Sequence, residues 1–153
     1  PWQKDMKKIM NQNNIRDLLI VDQCAIVANS MLETAKQNGF SADICTKPTA
    51  EMEFVNGTKY RAVLVNTFVR ELADNTMDPG WYHSGGTKVA EALKKKLNGT
   101  PIIGMSQMFN SAGKQILPVE SDVFKEVIRY DGANCGEMIK YVIEKYLNDP
   151  NRK

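Results

Sequence analysis

The stretch Arg61-Ala62-Val63-Leu64-Val65-Asn66-Thr67 decides how this chain folds. Four consecutive apolar residues ending at a polar pair mark a short strand covered on both faces, because a strand with one wet face alternates instead. Two other runs have the same form: Leu18-Leu19-Ile20-Val21 ends at Asp22-Gln23, and Pro101-Ile102-Ile103-Gly104-Met105 ends at Ser106-Gln107. Each is followed, directly or after a loop, by a helical pattern. Strands alternating with helices make a parallel sheet with helices on both faces. In such sheets ligands gather at the carboxyl ends of the strands, where loops and helix N-termini converge. Asp22, Asn66 and Ser106 are therefore expected near one another on one rim.

Composition narrows the class. The 153 residues are 42% hydrophobic and 25% charged, which fits one soluble globular domain with a full core. Twenty basic and eighteen acidic residues leave a charge of +2, too little to argue for direct nucleic-acid binding. Lys94-Lys95-Lys96 reads as a solvated helix face. No apolar run approaches the roughly 20 residues of a membrane span, and no signal peptide is visible. Cys24, Cys45 and Cys135 have no metal-ligand spacing and leave an odd thiol, so a reducing, cytoplasmic compartment is expected. A first residue of Pro1 rather than Met suits a piece of a longer chain.

Outward from the central run, residues 1–16 are polar, with Trp2, Met6, Ile9 and Met10 spaced like one face of a short helix; an N-terminal extension, docking helix or linker, is expected there. A strand follows from about Asp17 to Val21, then a helix with Ala25, Ala28, Leu32 and Ala35 as its apolar stripe and Asn38-Gly39 as its stop. Ser41 to Thr46 reads as a second strand, and Thr49 to Val55 as a short helix. Residues 68–84 form a loop longer than compact domains usually keep without a use. It contains Asp78-Pro79-Gly80 and the aromatic trio Trp81, Tyr82 and His83. Gly85-Gly86 leads into a helix with Val89, Leu93 and Leu97 inward, ended by Asn98-Gly99. Residues 107–120 make a short, poor helix, and Val123 to Arg129 fits a fifth strand or a helix equally by periodicity. The last helix carries Met138, Ile139, Val142, Ile143, Tyr146 and Leu147 on one face, and residues 150–153 are a polar tail.

Taken together, "LLIVDQ", "AVLVNT", "GGTKVAEALKKKLNGTPIIGMS" and "EMIKYVIEKYL" resemble the receiver domain of two-component response regulators, over about residues 17–149. The resemblance implies a flavodoxin-like three-layer α/β sandwich with five parallel strands in order 2-1-3-4-5. It also implies a phosphoacceptor site at the rim: an acidic pair after strand one, a nucleophilic Asp after strand three, Ser or Thr after strand four, and Lys after strand five. Carboxylates hold a magnesium ion that neutralises the phosphoryl oxygens while the Asp attacks. This chain departs from that set. Asp22 is followed by Gln23, so the acidic pair is halved; Asn66 stands at the nucleophile; Ser106 is kept; Arg129 falls at the lysine position. An amide has no anionic oxygen with which to attack phosphorus. The expectation is thus a vestigial site of Asp22, Gln23, Asn66, Ser106 and Arg129, with no catalytic residue, no metal and no cofactor.

What the domain then does is expected to be recognition of a protein partner, either a signalling protein or an output domain, with a homodimer as one form. The face built from the fourth helix, fifth strand and fifth helix would carry it, with Trp81, Tyr82 and His83 as an interaction loop. Two alternatives stay open: a phospho-accepting receiver with an atypical site, and a small-molecule or flavin binder on the same fold. Asp22-Gln23-Cys24-Ala25 lacks the Ser/Thr-rich loop with which flavodoxins hold a phosphate. Simpler roles compete at each residue: Asp22 in a capping or hydrogen-bonding role at the start of the first helix, Ser106 as a loop hydrogen bond, Cys24 and Cys135 as inert thiols near helix N-termini, and Trp81 as loop packing.

Overall fold

The structure, a computed structural model, describes residues 15–46, 58–67, 89–106, 122–129 and 134–148. Its elements in chain order are β1 (Ile15–Val21), α1 (Ala25–Gln37), β2 (Ala42–Cys45), β3 (Lys59–Asn66), α2 (residues 89–96), β4 (Ile102–Ser106), β5 (Val127–Arg129) and α3 (Cys135–Val142). A single π-helical turn, Ile143–Leu147, continues α3. The five strands form one sheet in the order β2-β1-β3-β4-β5, and every pair is parallel.

Period-two alternation divides the strands between two cores. Leu18, Ile20, Ala62, Leu64, Ile103 and Met105 face α1 and α3; Leu19, Val21, Val63, Val65 and Ile102 face α2. Residues Ala62 to Val65 are wholly buried, as their unbroken apolar run requires. Helices on both faces complete three layers.

Several expectations are refined. β1 starts at Ile15 rather than Asp17, because Ile15 and Arg16 already pair with Lys59 and Tyr60. The buried stripe of α1 is Ala28, Met31 and Ala35; Ala25 is exposed in the first turn and Leu32 is only half-buried. Spacings of three and four still define the stripe, but its phase is set by Met31. α2 buries Val89, Leu93 and Leu97 as expected, with Ala90. The ambiguous stretch 123–129 is strand only at Val127–Arg129, so the helical reading fails there. Val123 is a core residue in the preceding turn, and Lys125 and Glu126 already bond β4: the Lys125 amide donates to the Ile102 carbonyl at 2.8 Å and the Gly104 amide to the Glu126 carbonyl at 2.9 Å. Gly104 is needed at this approach, since a Cβ there would stand 3.2 Å from both Phe124 and Val127 side-chain carbons. The expected helices at 49–55 and 107–120 and the loop 68–84 lie outside the described residues.

α1 ends as its Asn38-Gly39 pair predicts. Gly39 has φ +84°, its amide donates to the Lys36 carbonyl, and the Phe40 amide donates to the Ala35 carbonyl, the paired bonds of a Schellman close. At the amino end of the sheet, charge is held by pairing. Arg61 donates to Asp17 at 3.1 Å and to the Leu147 carbonyl at 2.9 Å, while Asp17 also accepts from the Ser41 amide. Arg16 grips Asp43 through two nitrogens, and the Tyr60 hydroxyl donates to the same carboxylate at 2.8 Å. Burial, then the bond to Asp43, raises the Tyr60 phenol well above its ordinary value.

Leu64, wholly buried at the sheet centre, tests the packing. Leu64→Ala is expected to cost about 2–5 kcal/mol, seen as a lower urea midpoint with an unchanged slope. A loss under about 1 kcal/mol would show that the core closes over the missing atoms.

Candidate functional site

Four strand ends converge on one rim. Asp22 follows β1, while Asn66, Ser106 and Arg129 are the last residues of β3, β4 and β5. Register brings them together: Val21 pairs with Val65, Asn66 with Met105, and Ser106 with Arg129. The rim expected from the sequence therefore exists as a spatial unit, with the chain passing from Asp22 into α1 above it.

Depth differs along it. Asp22 and Ser106 are buried, Gln23 and Asn66 half-buried, and Arg129 exposed. The amide of Asp22 donates to the Cys45 carbonyl at 3.1 Å, which fixes the residue against β2. Its carboxylate accepts at both oxygens. The Cys24 amide donates to Oδ1 at 2.9 Å, and the Asn66 side-chain nitrogen reaches Oδ2 at a long 3.4 Å. The first of these is a short Asx turn that leads the chain into α1. Asp22 is thus a turn former before the helix rather than its cap: the N-cap is Cys24, which makes no side-chain cap bond.

N–H donors to a carboxylate favour its ionised form. Gln23 and Asn66 bring neutral amides to a rim where a divalent ion would want more anionic oxygen. Among the described residues, no group of three or more His, Cys, Asp or Glu side chains is placed to hold a metal ion. A hydroxyl and a guanidinium sit at the ends of adjacent strands and could bind an anion.

Cys24 is exposed, whereas Cys45 and Cys135 are buried. The Cys135 sulfur lies 3.5 Å from the Ser30 hydroxyl where α3 packs on α1. Trp81, Tyr82 and His83, the expected interaction loop, lie outside the described residues.

One polar cluster was not foreseen. The Glu126 carboxylate, just ahead of β5, accepts from the hydroxyls of Tyr141 and Tyr146 and from the Lys145 ammonium, all on the last helical segment. Lys145 also lies 5.6 Å from the ring centroid of each tyrosine. Partial burial resists ionisation of Glu126, but bonds from Lys145, Tyr146 and Tyr141 outweigh it and lower its pKa. Burial, then the bond to Glu126, pushes the Tyr146 phenol up to about 12. Only the i,i+4 spacing of Tyr141 and Lys145 could have hinted at the cluster, because Glu126 lies in the stretch whose secondary structure the pattern leaves open.

No protein-family model matches the chain, and no curated protein sequence does. Solved structures do match. A CheY-like response regulator receiver domain protein from Methanospirillum hungatei has a TM-score of 0.58 at 13% identity, over 86% of this chain and 95% of its own. The response regulator TrrA from Thermotoga maritima, solved in complex with Mg(2+)-BeF, has a TM-score of 0.57 at 19% identity, over 85% and 97%. The N-terminal domain of a response regulator/sensory box/GGDEF three-domain protein from Carboxydothermus hydrogenoformans has a TM-score of 0.51 at 16% identity, over 84% and 97%. The strand order, the parallel pairing and these likenesses agree: this chain has the fold of the CheY-like response regulator receiver domains.

Proposed function

We propose that this chain is a receiver-type signalling domain that works by protein–protein recognition and is not switched by phosphorylation of an aspartate. The observation that supports this reading most directly is the contact of Asn66 with Asp22. The residue at the end of the central strand offers an amide nitrogen to the buried carboxylate, at 3.4 Å, where an acid would be needed as nucleophile. Gln23 removes the second metal-binding acid. With an amide at the nucleophile position and at the second acid position, control of the domain is assigned to a partner. A signalling protein or an output domain suits that role; one similar structure is the N-terminal domain of a three-domain protein. Trp81, Tyr82 and His83 offer large contact area for little rotamer entropy and are assigned to the recognition surface. The domain is proposed to be no enzyme.

Incubation with acetyl phosphate and magnesium should leave the intact mass unchanged. A stable gain of one phosphoryl group, lost on hydroxylamine treatment, would favour the atypical phospho-accepting alternative, with Asp22 as the acceptor to examine.

Asn66→Asp probes the same contact from the other side. A second carboxylate beside buried Asp22 is expected to cost about 1–3 kcal/mol at neutral pH, because two acids this close share a proton. The shared proton raises the folded-state pKa of one acid, so the variant should recover stability as the pH falls toward about 5. Millimolar magnesium should restore it at pH 7 by giving the paired acids a cation. Urea unfolding at the two pH values, with and without magnesium, reads all three; a variant as stable as the parent at pH 7 would mean the two side chains do not meet.

Trp81→Ala should weaken capture of the partner while leaving thermal unfolding within a few degrees of the parent. Unchanged capture together with a loss of about 3–5 kcal/mol would assign Trp81 to packing.

A further inference from the structure

The last helical segment changes pitch at its end. After α3 ends at Val142, Ile143–Leu147 forms a π turn closed by the Asn148 amide donating to the Ile143 carbonyl at 2.7 Å, a bond spanning five residues. Such turns are rare, and sharp irregularities usually trace to proline, glycine or an inserted group. The segment Ile-Glu-Lys-Tyr-Leu has neither proline nor glycine. Contacts beyond the helix are therefore candidates for what sets the pitch.

Geometry indicates where. In an α-helix, residues five apart stand about 140° apart around the axis, so Tyr141 and Tyr146 would point to different sides. One extra residue in the turn brings the fifth residue back toward the first. Here both tyrosine hydroxyls reach the Glu126 carboxylate, with Lys145 between them. Glu126 is itself anchored, since its carbonyl accepts from the Gly104 amide of β4. The same turn presents the Leu147 carbonyl to Arg61, which is paired with buried Asp17.

We propose that the Glu126 carboxylate is a latch: by gathering Tyr141, Lys145 and Tyr146 it holds residues 143–147 in the wide turn and so places the carbonyl that Arg61 binds. The latch joins the edge of the sheet to the end of the last helix. Glu126 stands three residues before Arg129 on the rim, so whatever competes for this carboxylate, a partner's guanidinium or ammonium for example, would release the turn. Released, the segment relaxes to an α-helix, and the Asn148 amide changes acceptor from the Ile143 carbonyl to that of Glu144.

The test uses the full chain with Glu126→Ala, Glu126→Gln and Tyr146→Phe. In Glu126→Ala, through-hydrogen-bond NMR couplings should reassign the Asn148 amide to Glu144, and its exchange should quicken at least tenfold. Tyrosine absorbance should show the Tyr146 phenol titrating at lower pH than in the parent, because the bond to Glu126 is lost while burial remains. Tyr146→Phe should quicken Asn148 exchange as well, since it removes one arm only. If Glu126→Ala does not fold, Glu126→Gln, which keeps the shape and loses the charge, is read in its place. An Asn148 amide still bonded to Ile143 in a folded Glu126 variant, with unchanged exchange, overturns the latch and assigns the turn to the core.

Discussion

With helices on both faces of the sheet, the central strand β3 can carry charge only at its ends, because an ion buried at mid-strand would lose its hydration with no partner in reach. Ala62 to Val65 obey that constraint without exception, and so do Leu18 to Val21 in β1. Polar chemistry is therefore exported to two opposite edges of the same sheet. Everything specific about this domain is decided by what stands on each edge.

The amino edge is built of completed pairs. Asp17 meets Arg61, Arg16 meets Asp43, and Tyr60 adds its hydroxyl to the second pair. A partly buried pair is weak evidence of net stability, yet removing one member leaves the other unpaired and costly. These contacts tie β1, β2 and β3 to one another and to the end of the last helix. The carboxyl edge is built differently. Asp22 is buried there and accepts from amide donors, and Arg129 stands exposed on the far strand.

The fold was legible because its signals are periodic and redundant. Three unbroken apolar runs each ended at a polar residue, and Asn38-Gly39 and Asn98-Gly99 both ended helices with glycine at positive φ. The meeting of Asp22, Asn66 and Ser106 followed from parallel strands that end together, while Arg129 was placed with them only by the family resemblance. What stayed hidden depends on contacts between distant segments. Periodicity cannot separate strand from helix over 123–129, where three residues of edge strand follow a turn whose Val123 and Phe124 pack into the core. Nor can it show a π turn, since Ile143 and Leu147 satisfy the helical stripe in either pitch. Glu126 joins both gaps: its position decides the turn, and no local pattern marks it.

Geometry and chemistry come apart at the rim. Asparagine has nearly the shape of aspartate, so the backbone of β3 and its register with β4 accept either residue, and the fold is indifferent to the choice. The charge is not. A rim of several carboxylates repels itself until a cation arrives, and that repulsion is what lets an ion and a phosphoryl group change the state of a domain. On the proposed reading, a single carboxylate with an amide beside it carries less of that tension. A ligand shifts an equilibrium only by its differential affinity for two states, and on the proposed reading the Asp22–Asn66 contact removes one of those states from the rim. Regulation of this domain then has to act on surfaces that still hold an alternative. The edge from Glu126 to Tyr146 is one: three donors on one carboxylate hold a helical turn in a pitch that its own sequence does not require.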